Sequence, residues 1–85
     1  MTAIFASEWN DYEEGWFSLI YEENGKYYHV IDGHNVMNGD YNSHDEITEN
    51  EAWEIIEEDK DYETEVPWSV EEYLRNYETN IQRNF

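Results

Sequence analysis

Two residues, Asn24-Gly25, separate a pair of segments rich in aromatic and β-branched side chains, residues 16–22 and 27–32. Asn-Gly accepts the two successive positive φ angles of a type I′ turn, whose twist matches that of paired strands. A two-residue loop leaves one register. Tyr21 then faces Tyr28, Leu19 faces Val30 and Phe17 faces Asp32, while Glu22–Tyr27, Ile20–His29 and Ser18–Ile31 pair on the opposite face. Both faces carry apolar side chains, so the sheet needs cover on one side and a partner or a second copy of the chain on the other. Ala3-Ile4-Phe5-Ala6 reads as a further strand.

Residues 32–46 are turn-formers almost throughout and read as a loop. Thr48-Glu49-Asn50-Glu51 then matches a capping box, a hydroxyl at N-cap and a carboxylate at N3. It opens a short helix to about Asp59, with Ala52, Ile55 and Ile56 inward, Trp53 flanking, and Glu51, Glu54, Glu57 and Glu58 outward. A second helix follows Pro67, started by the box Ser69-Val70-Glu71-Glu72, with Trp68 placed to staple onto Tyr73. Val70, Tyr73, Leu74, Tyr77 and Ile81 mark its apolar stripe. The order β-β-β-α-(β)-α predicts one α+β domain over residues 1–85, a small antiparallel sheet of about three strands with two short helices.

Four basic residues stand against 22 acidic ones, a formal charge of −18. Such an excess commonly marks a disordered chain. Four Trp, eight Tyr and three Phe, spread along the whole sequence, argue for a folded one, since each aromatic buries on the order of 150–250 Å². A direct nucleic-acid binder or a polybasic membrane anchor needs Lys/Arg clusters that are missing here. Without cysteine there is neither a disulfide framework nor a thiolate metal site. The opening residues carry no basic segment or long apolar run of the secretory kind.

Motifs for chemistry are weak. With Gly39 at position 6 of an EF-hand loop, His34 and Val36 fall on ligand positions, and with Gly33 there Tyr28 does, so both alignments fail. His29, His34 and His44 match no metal-binding helical spacing. There is no phosphate-binding Gly-rich loop, and among 22 acids some glycosidase-like pair arises by chance. The expectation is a protein without cofactor, metal or catalytic activity.

Charge density is the remaining signal. A compact domain of this length has a radius of gyration of about 12 Å, hence a diameter of roughly 30 Å. Duplex DNA of that length carries about 18 charges, the same as the chain's formal charge. Ordinary domains hold net charge to a magnitude of about 2–8. A merely soluble or halophile-like surface accounts for the acids but not for aromatics set beside them, as in Glu8-Trp9, Asp11-Tyr12-Glu13-Glu14, Tyr21-Glu22-Glu23, Asp61-Tyr62-Glu63 and Glu71-Glu72-Tyr73. Carboxylates that meet Arg or Lys, with aromatic anchors between them, suit tight binding to a basic groove.

In size, acidity and α+β pattern the chain resembles the DNA-mimic inhibitors of phages and plasmids: small anti-CRISPR proteins, antirestriction proteins and uracil-DNA glycosylase inhibitors. Asn10-Asp11-Tyr12-Glu13-Glu14-Gly15-Trp16 is similar to the Tyr-Asn-Glu-Gly segment of plasmid antirestriction proteins, with Glu13 in place of the Asn. The chain is about half that family's length, so no residue role is carried over. The resemblance implies a stoichiometric inhibitor in the cytoplasm of a bacterial host, blocking the nucleic-acid site of a defence nuclease. An immunity protein or antitoxin against a basic nuclease toxin is the alternative. The expected contact set is Glu13, Glu14, Glu22, Glu23, Asp32, Asp40, Asp45, Glu54, Glu57 and Glu58, chosen because the hairpin tip and the 32–46 segment should project furthest.

Overall fold

The computed structural model describes residues 1–83, and side chains up to residue 77. Strands β1 (Thr2–Asn10), β2 (Glu14–Glu23), β3 (Lys26–Asn35) and β4 (Gly39–Ile47) follow one another as an antiparallel meander. Helix α1 (Glu49–Asp59), a 3₁₀ turn at Lys60–Tyr62, the two-residue strand β5 (Glu63–Thr64) and helix α2 (Val70–Arg83) complete the chain. The sheet order is β4-β3-β2-β1-β5. The fold is α+β with one antiparallel sheet and two helices, but the sheet has five strands rather than about three.

The hairpin forms in the expected register, with all six anticipated pairs in place. Asn24 and Gly25 take φ values of 54° and 80°. The main correction is the segment 32–46. β3 continues through it to Asn35, and β4 returns along it, pairing Asp32 with Asn42 and Gly33 with Tyr41. Asn35 Oδ1 accepts the Met37 and Asn38 N–H groups at 2.9 and 3.2 Å, and Gly39 follows at φ 85°. The polar residues beyond that turn disfavour a strand by propensity, yet β3 offers them a complete ladder, and pairing outweighs propensity. At the same end, Asp11 Oδ1 accepts the Glu13 and Glu14 N–H groups, each at 2.8 Å, to turn β1 into β2. The two turns are joined by Val36 N–H donating to Glu13 O at 2.9 Å.

The sheet is covered by α2 on one face. Val70, Leu74 and Tyr77 bury against Ala6, Leu19, Tyr21 and Val30, and Tyr73 meets Phe17 at 5.3 Å between ring centroids. The helix is clamped to the sheet edge by Tyr77 Oη, which donates to Ser43 O at 3.0 Å. Ser69 Oγ accepts the Glu72 N–H at its start, but Trp68 is 88% exposed and does not staple onto Tyr73. Ile81, the last residue of the expected stripe, lies outside the described side chains.

Helix α1 packs on the other face, against β3. Its capping box forms in full: Thr48 Oγ1 accepts the Glu51 N–H at 3.1 Å and Glu51 Oε1 accepts the Thr48 N–H at 3.0 Å. Ala52 is buried, Ile55 and Ile56 are half-buried, and Trp53 stays exposed. No helix among the described residues is long and apolar enough to cross a membrane.

Candidate functional site

Among the described residues no Asp or Glu is buried. The molecule is 36 × 27 × 21 Å, so its carboxylates are spread over a small body. Lys26 Nζ lies 3.9 Å from Glu46, Lys60 Nζ 2.7 Å from Glu57, and the N-terminal ammonium 3.6 Å from Glu71. These cations sit in exposed pairs worth little in stability, and they offset only a small part of the acidic charge.

The ten expected contact residues do not form one patch. Glu13, Glu14 and Asp40 gather around the two joined turns at one end of the sheet, while Glu22 and Glu23 flank the Asn24-Gly25 turn at the other. Asp45 pairs with His29 on β4, on the α1 face, and Glu54, Glu57 and Glu58 line the outer surface of α1. Asp32 lies on the α2 face, where burial and the nearby Asp40 push its carboxyl above the usual range against a smaller opposing pull from His34. The end with the joined turns also bears exposed apolar side chains, Tyr12 at 99%, Met37 at 83% and Val36 at 66%. Aromatic and apolar anchors among carboxylates thus occur together there.

A second feature follows from the strand register on the α1 face. One cross-strand row is Trp9, Trp16, Gly33 and Tyr41. The next row is Ser7, Ser18, Ile31 and Ser43, and the one beyond is Phe5, Ile20, His29 and Asp45. From this middle row Ser18 and Ile31 face a trough between the aromatic row and the C-terminal end of α1. It encloses about 340 Å³, with Trp16 and Tyr41 on one side, Asp59 on the other and Ser18, His29 and Ile31 beneath. Gly33 is needed for its shape: a Cβ there would stand 2.3 Å from the Tyr41 ring. Because that space is empty, the ring crosses Gly33 and its hydroxyl donates to Glu14 Oε1 at 3.0 Å. Desolvation first, and then the bonded Glu14 carboxylate, hold the Tyr41 phenol above its ordinary range. Trp16 is buttressed edge-on by Tyr62, with centroids 5.8 Å apart.

The trough floor holds a Ser–His pair, Ser18 Oγ and His29 Nε2 sharing a hydrogen bond of 2.7 Å. Burial lowers the His29 pKa, partly opposed by Asp59 and Asp45. Ser18 is 3% exposed, and β2 is paired on both sides, so its backbone N–H groups serve the ladders rather than a developing oxyanion. The pair fits a structural role, satisfying the buried Ser18 hydroxyl and the half-buried His29 ring. Among the described residues no group of three or more His, Asp or Glu is placed to hold a metal ion.

Of the residues that line the trough, sequence reasoning named only Glu14 as a contact residue and missed Trp16, Ser18, His29, Ile31, Tyr41 and Asp59. The hairpin register already set Ser18 opposite Ile31 and Ile20 opposite His29, but the trough appears only once β4 is a strand and α1 ends above it. No protein-family model, curated protein or solved structure matches this chain.

Proposed function

We propose that this chain is a stoichiometric inhibitor that presents a DNA-like array of carboxylates to the nucleic-acid-binding site of a bacterial defence nuclease, a CRISPR effector or a restriction enzyme. The observation that carries the reading is charge per length. A net −18 is held on a body 36 Å long, and duplex DNA of that length carries about 21 charges. The supporting sheet is preorganised, which limits the ordering cost of association. The apolar tip of Tyr12, Val36 and Met37 supplies the anchoring contacts that charge alone does not.

The test is capture of the partner from a bacterial lysate on immobilised chain, followed by competition with duplex DNA. One equivalent of the chain should abolish DNA binding by the captured enzyme, and the competition should weaken steeply with salt. A partner that binds DNA equally well when saturated with the chain overturns the proposal.

A further inference from the structure

The trough beside α1 has the chemistry of a side-chain receptor, and we infer that it receives one arginine of the partner. The inference rests on the inhibitor reading, in that the arginine belongs to the partner's nucleic-acid groove. At about 340 Å³ the trough lies at the lower end of small-ligand sites, large enough for one long side chain and too small for a nucleotide strand. Its walls are aromatic, Trp16 and Tyr41, and its charged groups are two carboxylates, Glu14 and Asp59, with no Lys or Arg among the described residues that line it. A cation is therefore the complementary occupant.

The geometry favours guanidinium over ammonium. A planar cation stacks on aromatic faces and bonds a carboxylate through two parallel N–H donors, whereas an ammonium is a compact and strongly hydrated point charge. Glu14 is already oriented by the Tyr41 hydroxyl at 3.0 Å, and Asp59 by the Ser7 hydroxyl at 3.4 Å. Both acceptors are thus held in place before a ligand arrives. The nearly buried Ser18–His29 pair keeps the floor polar without adding a permanent positive charge, because burial favours the neutral imidazole.

The experiment titrates the full chain with the blocked peptide acetyl-Gly-Arg-Gly-amide and follows amide and indole resonances. Matching peptides carry citrulline or lysine in place of arginine. The arginine peptide should give saturable shifts centred on Trp16, Ser18 and Tyr41. The citrulline peptide, of the same shape without the charge, should give none at equal concentration, and the lysine peptide should bind roughly tenfold more weakly. Glu14→Gln should weaken the arginine peptide about tenfold, with the Glu72→Gln control unchanged and the circular dichroism of both variants native. Shifts spread over the whole acidic surface, equal for arginine and lysine, or equal losses from the two variants, would overturn the pocket.

The two proposals fail separately. An enzyme displaced from DNA but bound with undiminished affinity by the Glu14→Gln and Trp16→Leu variants removes the arginine pocket alone. An arginine peptide seated in the trough of a chain that displaces no DNA removes the inhibitor reading alone.

Discussion

Gly33 shows how one absent side chain can organise a surface. The Tyr41 ring occupies the place a Cβ would take, 2.3 Å away, and thereby brings its hydroxyl to Glu14. Tyr41 is 38% exposed and can swing outward, so Gly33→Ala should cost only about 1 kcal/mol or less. Its larger effect should be on Tyr41 itself. Once released from Glu14, the phenol should titrate lower, toward 10.0, which a residue-resolved NMR titration of the Tyr41 ring Cζ resonance reads directly. His29 gives a second test at this scale. Its folded-state pKa lies below 6.5 because burial favours the neutral ring. The associated stability is present above pH 6.5 and is lost as pH falls through the depressed folded value. Asp32 acts in the opposite sense: its raised pKa gives a contribution that is full below 3.8 and lost as pH rises through the folded value. Thermal melts on either side of pH 6.5 should show a decline on acidification that His29→Gln reduces.

At the scale of elements, the two helices are attached by different means. Helix α1 begins with a complete reciprocal cap, so Thr48→Ala should destabilise the protein by about 1 kcal/mol in chemical denaturation. Helix α2 depends on an aromatic face in which two tyrosines differ. Tyr77 Oη donates to Ser43 O at 3.0 Å, while the buried Tyr73 Oη has no hydrogen-bond partner among the described residues. Tyr77→Phe should therefore cost about 1 kcal/mol, with Tyr73→Phe neutral or mildly stabilising. The opposite ranking would show that α2 docks differently. The first hairpin and both helix starts were legible in the sequence because each rests on local chemistry: Asn-Gly, Thr-x-x-Glu and Ser-x-x-Glu. The β3–β4 hairpin was not. Its second strand, Gly39–Ile47, is largely exposed and polar, so it lacks the alternation that marks a strand, and only pairing with β3 forms it.

Across the whole molecule, the dominant surface term is repulsion among carboxylates on a body 36 Å in its longest dimension. Screening shortens the Debye length to about 10 Å at 0.1 M salt. The melting temperature of the free chain should therefore rise between a few millimolar and about 0.1 M salt. A steady fall over that range would mean that attractive pairs such as Lys60–Glu57 outweigh repulsion. The same field bears on association. A second copy approaching the edge strand β4 would set Asp45 and Glu46 against like charges, whereas a basic partner would meet complementary ones.

The sequence by itself determined the hairpin register, the helix starts, the inward stripe of α2 through Tyr77 and the anionic character of the surface. Each depends on neighbours in the chain, on a simple period or on a sum of charges. Tertiary structure decided where the charges stand. It placed Glu13 and Glu22 at opposite ends of the sheet, turned Asp32 toward α2, and left Trp68 in solvent despite its favourable spacing from Tyr73. It also made the trough, which needs a strand recruited against its own propensity, a glycine beneath the Tyr41 ring and a helix that ends at Asp59. Side chains from β2, β3, β4 and α1 converge there only after the sheet has paired and α1 has docked. Local sequence specifies conformation over a few residues, while a concave site is a relation among segments that sequence spacing does not encode.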